Sequence, residues 1–373
     1  MKYWDEETVD KIRRGYYSAI YFNRTKSILE KEKIFKKVTM QIFQKHDGSI
    51  LCGVEEVVEV VKVASGYYKE NNWVDKSDEV KIESLSNGDK LGSGETVMHI
   101  TGPYAYFAHL ESIYLGILAR RTLVATKTRK AVEAAKGKSV IFFADRFDHF
   151  LNQDGDGYAA LIGGASGVCT QAHTTRFGGE PMGTIPHALI AVYGGDTVQA
   201  VERFHQHYPG VNLIALVDFE NDCVRTSLEV AKRFGKKLWG VRLDTAGDMI
   251  DKSLSHSEPR AKNPATGGSA SLDPSASPQD DRRGVNPQLI RNARKALDEE
   301  GYRHIKIIAS GGFNAEKIEW FEKEKTPVDF YGVGSALVHG ENDFTADIVR
   351  VEGMPMSKVG RTFKANSRLT KLF

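Results

Sequence analysis

The 373-residue chain has only three cysteines, Cys52, Cys169 and Cys223, odd in number, far apart and without a Cys-x-x-Cys pair. A disulfide framework and a thiolate metal site are therefore not indicated, and small buried residues are the expected role. No apolar run approaches the roughly 18 to 20 residues that cross a bilayer. The opening residues 1–14 are charged and lack the apolar core of a signal peptide, so a cytoplasmic protein with no membrane contact is expected. An excess of either charge is also missing: 51 Lys plus Arg stand against 49 Asp plus Glu. Nothing here builds the basic face that nucleic acid requires. The length excludes a small scaffold and suggests two domains, or one large α/β barrel with an addition, because single cores seldom grow past roughly 250 to 300 residues.

What is present divides into two textures. Over residues 6–32, Ile12, Tyr16, Ala19, Ile20 and Phe22 recur at helical spacing and predict one amphipathic helix. Short β-like stretches at 38–43 and 50–54 precede a second helical pattern through Val57, Val60, Val61 and Ala64. Residues 87–102 hold two turn clusters flanking alternating strand residues, a small antiparallel β lobe. Helices are expected at 104–120 and 122–136. After Lys138 the chain becomes apolar runs ending in Gly, Asp or Ser, at 140–145, 161–167, 183–190, 213–218, 238–244, 305–312 and 329–335. Most lie 20 to 30 residues apart, the length of a strand plus a crossover helix, and seven such units suggest a barrel of parallel strands. Residues 251–287 break the rhythm with seven Ser and five Pro, and read as an excursion at the strand end, either a solvated insertion or a lid.

Several strand ends carry chemistry. Ser310-Gly311-Gly312 and Gly332-Val333-Gly334-Ser335 close the last two runs, where barrels commonly build phosphate sites from backbone N–H groups. Arg242 and Asp244 fall on one side of a strand, where Arg offers a fork for a carboxylate or phosphate and Asp accepts from ribose hydroxyls or holds a divalent ion through water. Asp218 ends the preceding strand and joins the same polar cup. Thr184 and His187 are three apart beside a Pro and can face one pocket; on spacing alone His187 reads as a structural hydrogen-bonding residue. Arg146 and His149 form another strand-end cationic pair, and Tyr21 and Arg24 lie one turn apart on the first helix.

Taken with Tyr21-Phe22-Asn23-Arg24-Thr25, Glu111, Ala125-Thr126 and Ile162-Gly163-Gly164-Ala165, these motifs resemble the nicotinate phosphoribosyltransferases, within the type II phosphoribosyltransferases, in order and over almost the whole chain. The Gly-Thr-x-x-His element at 183–187 followed by Arg242-x-Asp244 is the specific part; the glycine motifs alone are not. The resemblance implies an α/β fold: a barrel of parallel strands, closed or incomplete, over 113–339, plus an N-terminal α+β open sandwich over 1–112 completed by the C-terminal segment 340–373. It implies that nicotinate and phosphoribosyl pyrophosphate give nicotinate mononucleotide and pyrophosphate, with ATP hydrolysis driving the balance. By matching position Tyr21 stacks on the pyridine ring, Thr184 and Arg242 contact nicotinate, and Ser335 with the glycine loops holds the ribose 5-phosphate. His187 matches the histidine transiently phosphorylated by ATP. Mg²⁺ enters with the pyrophosphate, with no metal held by the protein alone. A homodimer or higher homo-oligomer shares its sites, Tyr21 and Arg24 coming from the partner.

Two departures stand out. The family often has two adjacent Arg and then a His after the first barrel strand; here the order is Arg146-Phe147-Asp148-His149, one cation fewer with an added carboxylate. The sequence as read has no Cys-rich tail, and no structural zinc is expected. Among rivals, a quinolinate-using enzyme shares the fold plan but has no need of Gly-Thr-x-x-His, and a nicotinamide-using one accepts a neutral amide without a partner such as Arg242. A phosphate-binding aldolase or isomerase barrel would place Lys or Glu at a strand end.

Overall fold

Two apolar patterns sort the chain into two cores. The computed structural model describes residues 3–254 and 282–373. Period-two alternation puts Met40, Ile42, Met98 and Ile100 into one core, built on a six-stranded antiparallel sheet. Its order is Met354–Pro355, Phe344–Val351, Lys37–Gln44, Glu95–Pro103, Lys81–Ser84 and Thr370–Lys371, so strands from the end of the chain flank those from its beginning.

The second core fills a parallel sheet ordered Gly167–Val168, Ser139–Phe142, Phe330–Val333, Lys306–Ala309, Leu238–Leu243 and Leu213–Leu216. All its pairings are parallel, and the order is that of a barrel left open at one seam. The fold is therefore α/β, an open barrel beside an antiparallel lobe.

Of the seven runs read as strands, five form them and a sixth reaches one only at its last residue. The run at 183–190 lies in the open seam as extended chain leading into the short helix His187–Val192. Pro186 explains the loss, because it has no N–H to give a ladder. The run at 161–167 is mostly the end of the helix Gln153–Gly163, closed by Gly164 at φ +99°, and only Gly167–Val168 pairs.

Other boundaries also moved. The single helix expected over 6–32 is two, Glu6–Arg13 and Ile20–Lys31. The chain turns at Gly15, φ +71°, where a Cβ would collide with the Asn23 side chain. Conversely, the two helices expected at 104–120 and 122–136 are largely one, Glu111–Ala134. No Gly-Pro break separates them, and Thr122 is tied to Cys52, whose N–H donates to its hydroxyl at 3.1 Å. That helix joins the cores, burying Tyr114 and Leu118 in the first and Val124, Ala125 and Ala131 in the second. The stretch 50–54 makes only one bridge, Ile50 with Lys90, before the helix Val54–Ala64 begins. The expected β lobe at 87–102 supplies the sheet strand Glu95–Pro103. Cys52 and Cys223 are buried, while Cys169 is half-buried. The excursion expected over 251–287 falls mainly on 255–281, outside the described residues. Among the described residues no helix is long and apolar enough to cross a membrane.

Candidate active site at the strand ends

Arg242 is the penultimate residue of Leu238–Leu243, and strand alternation turns it to the same side as Asp244. Three protein groups hold its guanidinium. Nε donates to Ser310 Oγ at 2.8 Å, Nη1 to Thr184 Oγ1 at 3.0 Å and Nη2 to Asp244 Oδ2 at 2.9 Å. Ser310 closes the triangle by donating to Asp244 Oδ1 at 2.7 Å. A guanidinium carries five donors, so two N–H groups remain on a fork of fixed orientation. The Phe143 ring lies beside it, 5.2 Å from Cζ to the ring centre. The Arg242 and Asp244 side chains are 19% and 17% exposed, reachable from outside yet poorly hydrated.

Thr184 and His187 reach this cluster from the open seam. His187 Nε2 meets Asp218 Oδ2 at 2.9 Å; the imidazole is 45% exposed and the carboxylate 7%. Burial pushes the Asp218 carboxyl above its usual range, with His187 pulling it back. Among the described residues its buried Oδ1 has no hydrogen-bond partner. With Nε2–H donating to the carboxylate, Nδ1 keeps a lone pair.

The two glycine motifs differ physically. Gly311 and Gly312 have φ +89° and +67°, and a Cβ on Gly312 would meet nothing within 4 Å. Among the described residues no protein acceptor takes their N–H groups. At Gly332 and Gly334, by contrast, a Cβ would lie 2.6 Å from Phe143 and 2.5 Å from Phe147. Glycine is needed there because two phenylalanines occupy the space. Ser335 opens the single turn Ser335–Leu337, and among the described residues its hydroxyl has no protein partner. The Ser310 hydroxyl, in contrast, is engaged by Arg242 and Asp244.

The remaining expected residues stand apart from this cluster. Arg146 is exposed, its guanidinium 5.5 Å from the Phe147 ring centre. His149 Nδ1 accepts from Leu151 N–H at 3.3 Å, capping a short turn, and the ring stacks on Phe150. The added carboxylate, Asp148, pairs with Arg120 at 2.5 Å. Tyr21 and Arg24 are exposed on Ile20–Lys31, Tyr21 touching the Phe22 ring. Among the described residues no hydrogen bond or ion pair joins either to Arg242 or His187.

Sequence reading missed Phe143, Arg120 and Lys317. Lys317 Nζ donates to the Gly311 carbonyl at 3.1 Å and lies 4.4 Å from the Phe313 ring centre. Burial pushes its ammonium down to about 8, against the pull of Asp244. One signal was available: a lysine in the first turn of a helix opposes the helix dipole. Phe143 and Arg120 left no comparable trace.

The fold is an open α/β barrel with cations, carboxylates and a glycine turn gathered at its strand ends, the place where such barrels carry their active sites. The chain matches the family models described as quinolinate phosphoribosyl transferase, N-terminal domain, over residues 19–122, and C-terminal domain, over residues 124–246. It is 31% identical to the solved nicotinate-nucleotide pyrophosphorylase of Pyrococcus furiosus, with TM-score 0.77, covering 100% of this chain and 86% of that one. The chain belongs to the type II phosphoribosyltransferase family. It is also 28% identical over 287 residues to the nicotinate phosphoribosyltransferase pncB1 of Mycobacterium tuberculosis, covering 74% of this chain and 55% of the relative. A nicotinate phosphoribosyltransferase of Bacillus subtilis is 25% identical over 258 residues, 68% of this chain and 45% of the relative. The chain thus spans about half the length of these curated relatives.

Proposed function

We propose that this chain is a nicotinate phosphoribosyltransferase of NAD biosynthesis, acting in the cytoplasm as a homodimer. The observation that carries the reading is the Arg242 fork, fixed by Thr184, Ser310 and Asp244 with two N–H groups left over. A planar carboxylate accepts such a pair bidentately. Phe143 offers one aromatic face beside it, and Tyr21 of a second copy supplies the other, with Arg24 following it into the shared site.

In the reaction the pyridine nitrogen bonds to C1 of the ribose as the C1–oxygen bond to pyrophosphate breaks. Positive charge builds on the ribose ring, which Asp218 and Asp244 stabilise electrostatically while accepting from its hydroxyls. Negative charge builds on the leaving group, with which Mg²⁺ enters; Arg146 and His149 are the cations assigned to it. Among the described residues no group of three metal-ligating side chains forms a cage. The Gly311–Gly312 N–H groups, the Gly332–Gly334 loop and the Ser335 hydroxyl receive the 5-phosphate. ATP is the cosubstrate that phosphorylates His187: imidazole nitrogen bonds to the γ-phosphorus as the bond to ADP breaks. Asp218 steadies the resulting charge.

The test is to incubate the purified protein with phosphoribosyl pyrophosphate and Mg²⁺, offering nicotinate, nicotinamide or quinolinate, with and without ATP, and to separate the nucleotides. Nicotinate mononucleotide from nicotinate, increased by ATP, is the expected result. Product only from nicotinamide or quinolinate overturns the substrate assignment, and no product from any base overturns the activity.

A further inference from the structure

We propose that Lys317 is the cation of the 5-phosphate subsite, holding the Gly311–Gly312 turn open and binding the phosphate dianion that the turn receives. The inference rests on the reading above that this turn takes the ribose 5-phosphate.

Three independent features carry it. Lys317 donates to the Gly311 carbonyl at 3.1 Å, so its ammonium sits under the turn whose N–H groups are free. An ammonium has three donors, and two remain. Second, the ammonium lies over the face of the buried Phe313 ring, 4.4 Å from its centre, a cation–π contact that holds it beside the turn. Third, its charge lacks a paired carboxylate among the described residues. It occupies the first turn of Ala315–Lys323, where the dipole favours an anion. The neighbouring cation, Arg242, is already matched by Asp244 at 2.9 Å. A phosphate at the turn would meet the helix N-terminus, the free glycine N–H groups and Lys317 together, and would relieve all three. Burial pushes the ammonium down to about 8 before any ligand arrives, as expected for a cation waiting for its counter-ion.

The experiment titrates ribose 5-phosphate calorimetrically into the full chain as wild type, Lys317→Met and Lys317→Arg, and measures nucleotide formation in parallel. Methionine keeps an unbranched apolar side chain and removes the charge, and thermal melting checks that each variant folds. Lys317→Met is expected to weaken ribose 5-phosphate binding about ten- to a hundredfold and to raise KM for phosphoribosyl pyrophosphate in step. KM for nicotinate should stay within about twofold, with Lys317→Arg restoring most of the affinity. Undiminished ribose 5-phosphate binding by a folded Lys317→Met overturns the inference and leaves the proposed function standing. Equal losses for both substrates, unrescued by arginine, also overturn it, since they mark a purely structural lysine. Lysine-dependent binding in a protein that makes no nucleotide supports the subsite while the proposed activity fails, and no ribose 5-phosphate binding by the wild type overturns both.

Discussion

Replacing Arg242 by Lys separates charge from geometry. The ammonium keeps a positive partner for Asp244, so the half-buried carboxylate at 2.9 Å is not stranded. What disappears is the fork. Lysine cannot donate at once to Ser310, Thr184 and Asp244 and still offer two parallel N–H groups. A charged bidentate contact contributes roughly 1.5 to 3 kcal/mol, which corresponds to about ten- to a hundredfold in KM. KM for nicotinate should rise by that factor, while KM for phosphoribosyl pyrophosphate changes less than about threefold. The preference for nicotinate over nicotinamide should shrink by a similar factor, because a neutral amide gains little from the fork. Initial rates with each substrate varied at saturating levels of the other provide the assay. Equal increases in both KM values would refute the reasoning and assign Arg242 to the ribose or phosphate side.

Other perturbations test separate parts of the structure. His187→Ala should abolish ATP stimulation while leaving basal nucleotide formation; unchanged stimulation, measured with and without ATP, rules out phosphorylation of this residue. Gly334→Ala brings a Cβ to 2.5 Å from Phe147 and should cost about 1 to 3 kcal/mol, recovered in part in the double variant with Phe147→Ala. Additive losses in a denaturant double-mutant cycle would deny that clash. Glu56 is buried, and although burial alone would raise its carboxyl, Arg121 and Arg176 hold it below the usual range. Its folded pKa is the depressed one, so its contribution is present above the unfolded value of roughly 4.3 and is lost as pH falls through the folded value. Glu56→Gln should therefore destabilise by about 3 to 5 kcal/mol at neutral pH, the gap closing in strong acid; a pH-independent gap in melting temperature would contradict this.

The parallel strands were readable because each is a short apolar run stopped by Gly, Asp or Ser. Pairing of two of these strands brings Arg242, Asp244 and Ser310 together, and the unpaired 183–190 stretch adds Thr184, 126 residues from Ser310. What the pattern could not carry was the failure of the 183–190 run to pair. Its apolar residues look like a strand, and Pro186 removes a ladder donor without changing that look. Helix boundaries slipped for a related reason. Gly15 breaks a continuous helical period because Asn23 folds back, its Nδ2 donating to the Gly15 carbonyl at 2.8 Å. The added carboxylate at Asp148 seemed to weaken the anion site, yet its partner, Arg120, comes from a distant helix that no local rule connects to it.

The two glycine motifs make the same point about chemistry. In sequence they are one signal, small residues and a serine after an apolar run. In space Gly332 and Gly334 make room for Phe143 and Phe147, and so serve the aromatic side of the pocket. A Cβ on Gly312 would meet nothing within 4 Å and one on Gly311 would touch Asp244 and Thr245 at 3.4 Å; both have a left-handed backbone, and among the described residues no protein acceptor takes their N–H groups. The serines divide in the opposite sense: Ser310 bonds Arg242 and Asp244, while the Ser335 hydroxyl has no protein partner among the described residues. In the proposed site the phosphate donors are therefore split between the two loops, one giving backbone and the other a side chain. The packing that makes Gly332 indispensable also sets Phe143 beside the Arg242 fork. The Phe143 ring thus links Gly332 to the Arg242 guanidinium, so Gly332→Ala should raise KM for nicotinate more than KM for phosphoribosyl pyrophosphate, and the reverse order in initial rates would refute the link.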